Sequence, residues 1–296
     1  MLGLSRACKK YVETSGGIRM ELIEKFIQSK SGNMALCEDM YFHNEYFAAV
    51  IDGATSVSDS LYGEKTQGRI AAELIRDAIS SLNGRESIDE IITVINERYK
   101  VLYKKLNLEQ EVLEIPYIRP SASMIIYSKY HHKVWMVGDC QLYFDGKLYQ
   151  NIKRIDEVFS EARSIIVQGE LVKGRTVKEL LSEEDVGFRL IKPFIQKQYN
   201  FQNATPDSDL SYAVINGFPI PSELIKTIDL SEDVKVFSLA SDGYPTILES
   251  LEASEKELSR LLMVDPLCIY ENKSTKGIAK DNISFDDRTY IKVRIG

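Results

Sequence analysis

Aspartates stand at the ends of several apolar segments in this sequence. Asp52 follows the apolar run 47–51, Asp139 follows the run 134–138, and Asp242 follows the run 236–241. Asp281 opens the segment that leads to the last apolar run, and the acidic pair 38–39 precedes the first. If the segments are strands of packed sheets, their ends place these carboxylates at one edge, where acidic side chains can act together as acids, bases or ligands.

Taken singly, each of these aspartates is explained as a turn or cap residue, and Asp145 with Gly146 is interpreted as a hairpin turn. Several carboxylates at one edge would repel one another unless a cation neutralised them. Magnesium and manganese ions bind carboxylate and backbone carbonyl oxygens, and Gly53 would let the chain turn its carbonyl toward such an ion. Because the chain has only three histidines, a hard-metal site is favoured over zinc.

The periodicity of apolar residues predicts the elements that must position these side chains. Helices are predicted over 64–82, from Ser87 onward with a capping box to Glu90, over 183–199 with a cap at Ser182 and a break at Pro193, and over 254–263. Strands are predicted over 47–51, 123–128, 133–137, 141–144, 234–239 and 288–295. Residues 21–28 fit either a strand or a short helix.

This order of elements predicts an α+β fold with antiparallel sheets. Apolar runs without strict alternation indicate sheets that are covered on both faces, which gives a four-layer α-β-β-α sandwich of two antiparallel sheets flanked by helix pairs. Residues 1–19 are predicted to be a tail or extension. Residues 20–296 are predicted to form one domain, with a flap or insertion at about 151–230.

Composition excludes several classes of function. The chain has 37 Lys and Arg against 44 Asp and Glu, a net charge of −7, so it lacks the positive field that binding to nucleic acid or to an anionic membrane needs. Its four cysteines form no C-x-x-C pair, which argues against zinc fingers and disulfide frameworks. Without a long apolar run or a secretory signal, the expected compartment is the cytoplasm.

The motifs, read in order, resemble one family of enzymes. They are Glu38-Asp39, Asp52-Gly53, Ser121-Ala122-Ser123 leading into a strand, Val137-Gly138-Asp139, Ser241-Asp242-Gly243 and Asp281-Asn282. Each motif alone is weak, but six in this order resemble the metal-dependent serine/threonine phosphatases of the PPM (type 2C) family, from about Glu38 to the C-terminus.

The resemblance implies a sandwich of two antiparallel sheets with a dinuclear Mn²⁺ or Mg²⁺ centre at one end, and it leaves room for a third, weaker ion. Asp52 would bridge the two ions with the Gly53 carbonyl on one of them, and Asp242 and Asp281 would hold the other. Glu38 and Asp39 would act through metal-bound waters, and Asp139 with Asp242 would support the third ion. Asp52, Asp242 and Asp281 are thus the expected catalytic residues. The implied reaction is hydrolysis of phosphoserine or phosphothreonine in a protein substrate by a metal-activated water.

Three departures from the family pattern leave alternatives open. Met34 stands where many members carry a phosphate-binding arginine, Ala54 follows Asp52-Gly53, and the family's Thr-x-Asp-His segment is not recognisable at 151–159. Arg19, Lys25 or Lys30 could replace the arginine, although solvated surface charges are the simpler interpretation. The alternatives are a pseudophosphatase that serves as a binding or regulatory module, and a phosphatase for a small phosphorylated metabolite.

Overall fold

A computed structural model describes residues 19–58, 62–205 and 208–296. The strands are β1 (Met20–Gln28), β2 (Met40–His43), β3 (Phe47–Gly53), β4 (Ala122–Ser128), β5 (Lys133–Val137), β6 (Gln141–Phe144), β7 (Lys147–Tyr149), β8 (Lys226–Asp229), β9 (Val236–Ala240) and β10 (Arg288–Ile295). The α-helices are α1 (Gln67–Ser80), α2 (Ile88–Leu106), α3 (Glu111–Glu114), α4 (Arg154–Val172), α5 (Val177–Ser182), α6 (Val186–Gln198) and α7 (Leu251–Val264).

The ten strands form two antiparallel sheets of five strands each. Sheet A has the order β1-β10-β9-β6-β7, and sheet B has the order β2-β3-β4-β5-β8. Sheet B is built mainly from strands that follow one another along the chain, whereas sheet A joins strands from both ends of the described region. The predicted α+β class with two antiparallel sheets is confirmed.

The sheets pack face to face, and helices cover their outer faces. Between the sheets, the rings of Tyr127 on β4 and Phe237 on β9 lie 4.8 Å apart. Helices α1 and α2 pack on the outer face of sheet B through residues such as Ile75 and Ile95. Helix α7 contributes Leu258 to the cluster on the outer face of sheet A. Burial on both faces explains why the central strands are continuously apolar rather than alternating.

Local sequence signals account for the helix starts on sheet B. The Ser87 side chain accepts a hydrogen bond from the backbone N–H of Glu90, and the Glu90 side chain accepts one from the backbone N–H of Ser87, which is the predicted capping box. Thr66 caps α1 by accepting from the backbone N–H of Arg69. The ambiguous segment 21–28 is a strand, and it pairs along its length with β10.

The region between 151 and 230 differs most from expectation. Helix α4 has 19 residues but no predicted counterpart, because its apolar and polar residues do not separate onto two faces: Arg163 and Ser164 are buried, while Ile165 and Val172 are exposed. Helix α6 begins later than predicted, after the cap Asp185, and continues through Pro193. Strand β8 extends sheet B beyond β5.

The predicted tail at 1–19 lies outside the described residues except for Arg19. Within the described residues, none of the helices combines the length and the apolar character needed to cross a membrane.

Candidate metal centre

Three aspartates meet at one end of the sandwich. Oxygens of Asp52, Asp139 and Asp242, which we call the carboxylate cluster, all lie within 4.8 Å of one another. Asp52 comes from the end of β3 in sheet B, Asp139 from the connection between β5 and β6, and Asp242 from the residues after β9 in sheet A. The cluster lies in the wall of a cavity of about 410 Å³. The strand-end placement inferred from the sequence therefore brings these three carboxylates together.

The end of β3 places Asp52 at this position because the backbone there packs very closely against neighbouring segments. A Cβ atom on Gly53 would lie 2.3 Å from the carbonyl oxygen of Gly68, at the start of α1, and 2.6 Å from the carbonyl oxygen of Glu38. Such distances are far inside van der Waals contact, so only glycine fits at position 53. The start of α1 and the segment carrying Glu38 are therefore packed directly against the strand end that holds Asp52.

The side chains of Asp52 and Asp242 require a proton or a bound cation to offset the repulsion between their negative charges. Their carboxylate oxygens lie within 4.8 Å of each other, a separation at which two ionised carboxylates repel. Burial, followed by the nearby charge of Asp39, raises the pKa of Asp52 well above its usual value. Burial and the charge of Asp52 raise the pKa of Asp242 in the same way.

The acidic pair Glu38 and Asp39 lies beside the cluster and is almost fully buried. The Ser241 hydroxyl donates to Asp39 at 2.6 Å, but burial still raises the pKa of Asp39 well above its usual value. Glu38 accepts from Lys30 Nζ at 3.1 Å and from Thr55 Oγ1 at 2.9 Å through Oε2. Its other oxygen, Oε1, is buried and has no hydrogen-bond partner among the described residues.

These observations test whether the residues fit a divalent ion. The candidate ligand atoms are all oxygens, which magnesium and manganese prefer. The buried Oε1 of Glu38 is a hydrogen-bond acceptor that no atom of the described residues satisfies. The residues of the cluster therefore fit a hard divalent cation.

Asp286 is the acidic residue that the structure adds to the site. It lies in the cavity wall just before β10, and its charge acts on Asp52, Asp242 and Asp39. Two ammonium groups bind it: Lys30 Nζ lies 3.3 Å from Oδ1, and Lys276 Nζ lies 2.5 Å from Oδ2. Although burial acts in the opposite direction, Lys276 and Lys30 lower the pKa of Asp286 to about 2.

Asp281, which the sequence motif pointed to, is not brought to the site. It is exposed and lies in a turn with a positive φ of 68°, a conformation that aspartate tolerates. It is not part of the cavity wall, whereas Asp286 is. The physical reason is distance along the chain: β10 begins at Arg288, so Asp286 and not Asp281 adjoins the strand end.

Asp139 is held by two neighbours. The Ser123 hydroxyl donates to its Oδ1 at 2.6 Å, and Lys153 Nζ lies 2.6 Å from its Oδ2. Gly138 makes this possible, since its φ is +91° and a Cβ there would collide with Ser123 Oγ. Burial would lower the pKa of Lys153, but Asp139 and then Asp156 outweigh it and raise that pKa well above its usual value.

Sequence reasoning missed Lys153 and Lys276 and assigned Lys30 to the solvated surface. In the structure, Lys30 and Lys276 both donate to Thr55 Oγ1, at 2.8 Å and 3.1 Å. No sequence signal marks Lys153 or Lys276, because each comes from a connection that has no regular period. Met34, at the position where an arginine was expected, is 42% exposed and is not part of the cavity wall.

Buried Arg163 on α4 fixes the loop that carries Lys276. Its guanidinium donates to the carbonyl oxygens of Leu267, Cys268 and Ser274, and forms an ion pair with Asp185 at 2.8 Å. A fully buried guanidinium with a carboxylate and three carbonyl partners is well satisfied. Helix α4 is thereby joined to the loop that carries Lys276, and both contribute residues to the cavity wall.

Comparisons with known proteins bear on the overall fold alone. No protein-family model matches the sequence, and no curated protein matches it. The serine/threonine phosphatase PstP/Ppp of Mycobacterium tuberculosis is a similar solved structure, with 13% identity and a TM-score of 0.47 over 94% of this chain and 98% of that one. The catalytic domain of PstP in complex with two manganese ions matches with 13% identity and a TM-score of 0.47, over 94% of this chain and 99% of that one.

The PPM Ser-Thr phosphatase MsPP of Mycobacterium smegmatis in complex with cacodylate is also similar. It matches with 14% identity and a TM-score of 0.43 over 93% of this chain and 99% of that chain. At these identities the matches assign no role to individual residues of this chain.

Proposed function

We propose that this protein is a metal-dependent phosphatase that hydrolyses phosphoserine or phosphothreonine monoesters. The observation that carries the proposal is the carboxylate cluster, in which three acidic side chains from both sheets meet in the wall of one cavity. Two of them have raised pKa values because they are buried beside each other. Such an arrangement costs folding free energy unless a cation is bound, which supports a binding role for the cluster.

Asp52 and Asp242 are the proposed ligands that bind Mn²⁺ or Mg²⁺ directly. The Gly53 carbonyl is a further proposed ligand, Asp286 would hold Lys30 and Lys276 beside the ions, and Glu38 and Asp39 would hydrogen-bond to waters of the ions. When bound, the ions would neutralise a phosphate dianion and supply an activated water.

Lysine side chains of the cavity have a complementary role toward the substrate. Lys276 bonds to Asp286 and Thr55, which leaves one of its three ammonium N–H groups for a phosphate oxygen. The lysine would thus bind the anionic group that an arginine binds elsewhere in the PPM family. Asp286 and Thr55 keep the ammonium group in place, so that binding requires little reorganisation.

The proposal is tested with metal-depleted protein. Dialysis against a chelator is expected to lower hydrolysis of an aryl phosphate by at least about a hundredfold, and added Mn²⁺ is expected to restore it. A phosphothreonine peptide and small phosphate esters assayed in parallel identify the substrate class. Hydrolysis that survives chelation undiminished would contradict a metal-dependent reaction.

A second function, a binding module without turnover, is favoured by one observation. Lysines already pair with Asp139 and Asp286, so part of the acidic charge is neutralised without metal. Calorimetric binding of Mn²⁺ without hydrolysis of any phosphate ester would support this alternative over the enzyme.

A further inference from the structure

Both oxygens of Asp139 are already engaged by the protein. Oδ1 accepts from the Ser123 hydroxyl and Oδ2 lies against Lys153 Nζ, each at 2.6 Å. Resting on the proposed function, we propose that Lys153 is a built-in cation that replaces a divalent ion at Asp139 and thereby confines bound metal to the side of the cluster formed by Asp52 and Asp242.

Lys153 is held where it is by several neighbours rather than by Asp139 alone. Its ammonium group lies 5.3 Å from the centre of the Tyr212 ring and 3.7 Å from Asp156 Oδ2. Gln198 donates to the other oxygen of Asp156 at 2.8 Å, which fixes that carboxylate. Because only 16% of the Lys153 side chain is exposed, moving the ammonium group away from Asp139 would leave it without comparable partners.

The carboxylate of Asp139 is also held in place by its neighbours, as Lys153 is. Asp139 follows Gly138, whose positive φ turns the chain toward Ser123. Asn151 donates from Nδ2 to the Gly138 carbonyl oxygen at 3.1 Å, which ties the segment holding Lys153 to the segment holding Asp139. The two partners of the ion pair therefore share one local framework.

Asp52 and Asp242 contrast with this pair. Among the described residues, neither has a lysine, arginine or histidine nitrogen within 4 Å of its carboxylate, whereas Asp139 and Asp286 both do. A divalent ion at Asp139 would lie next to the ammonium group of Lys153, and like charges at such a distance repel strongly. The carboxylates without a cationic partner are therefore the ones left for metal.

The test is calorimetric titration of the metal-depleted full chain with MnCl₂. The variant Lys153→Met is expected to bind one more ion than wild type, or to bind its weakest ion at least about tenfold more tightly. Lys153→Arg keeps a cation and should resemble wild type. The matched control is Lys226→Met, which removes the same charge but leaves Asp139 untouched. Lys226 donates instead to the backbone of Gln150.

A double-mutant cycle assigns the gain to Asp139. Adding Asp139→Asn to Lys153→Met should remove the gain, because the carboxylate that would take the extra ion is then neutral. Identical stoichiometry and affinity in Lys153→Met and wild type, or a gain that persists in the double variant, would overturn the inference. Circular dichroism of each variant monitors folding, and Lys153→Gln replaces Lys153→Met if the latter does not fold.

Failure of the proposed function is distinguishable from failure of this inference. If wild type binds Mn²⁺ but hydrolyses no phosphate ester, the enzyme proposal fails while the titrations still decide the role of Lys153. If no variant binds Mn²⁺, Lys153 replaces no ion and the inference fails.

Discussion

Replacing Asp242 by Asn is expected to lower hydrolysis of an aryl phosphate by at least about a thousandfold, or about 4 kcal/mol in activation free energy. Asp242 comes from sheet A and meets Asp52 from sheet B, so an ion between the sheets depends on both. The amide keeps the size of the side chain but removes the charge that binds a cation. Steady-state kinetics with saturating Mn²⁺, together with calorimetric Mn²⁺ binding, measure the effect.

Thermal stability in the absence of metal is the control for Asp242→Asn. Because burial and Asp52 raise the pKa of Asp242, ionising it costs more free energy in the folded protein than in the unfolded chain. This cost is absent below the pKa that Asp242 has in the unfolded chain, and it grows as the pH rises toward the pKa that Asp242 has in the folded protein. Asp242→Asn removes it, so at neutral pH and without metal the variant should unfold at the same or a higher temperature than wild type.

Two substitutions near the C-terminus test which aspartate is functional: Asp286, which the structure places in the site, or Asp281, which the sequence motif indicated. Asp286 lies in the cavity wall and Asp281 is exposed in a turn. Asp286→Asn should therefore impair turnover strongly, whereas Asp281→Asn should have wild-type kinetics. The reverse result would restore Asp281 as the functional residue and refute the placement of Asp286.

Replacing Gly68 by Ala is expected to destabilise the protein by about 3 kcal/mol. In a helix, alanine is normally more stable than glycine by about 1 kcal/mol, so helix propensity alone would predict stabilisation rather than the destabilisation expected here. A Cβ on Gly68, the second residue of α1, would lie 2.6 Å from the carbonyl carbon of Gly53 and 2.7 Å from the carbonyl oxygen of Ala54. Both contacts are to backbone, which cannot move without shifting the strand end that carries Asp52.

The control is Gly169→Ala in α4, where a Cβ would have no atom within 4 Å. This variant should be stabilised by about 1 kcal/mol, in agreement with propensity. Thermal unfolding followed by circular dichroism compares the two, and for a chain of this size 3 kcal/mol corresponds to roughly 6 °C. Equal stabilisation by both substitutions would show that β3 and α1 are not in backbone contact.

The parts of the fold that the sequence predicted well are those in which local signals and burial agree. The capping box at Ser87 and Glu90 and the strands 133–137, 141–144 and 288–295 are observed as predicted. Helix α4 escaped prediction because Arg163 and Ser164 are buried by tertiary hydrogen bonds, which blur the apolar stripe. Such bonds reach residues about a hundred positions away and leave no local pattern.

The site was predictable only where its residues adjoin a strand. Asp52, Asp139 and Asp242 follow apolar runs directly, and the structure brings them together. The same rule applied to the last strand selects Asp286 or Asp287 over Asp281, because β10 starts at Arg288. The lysines could not be found in this way, since their positions depend on loops that are folded against the finished sandwich.

The order of strands has a consequence for synthesis of the chain on the ribosome. In sheet B, β2 to β5 follow one another along the chain and can pair as they emerge. Sheet A pairs β1 with β10, the first and last described strands, so β1 cannot form this pairing until β10 has been made. Asp242 and Asp286 belong to this late half, while Asp52 belongs to the early one. The repulsion that Asp242 and Asp286 add to Asp52 therefore arises only after these late residues have been made, and a nascent chain that lacks them has an incomplete site.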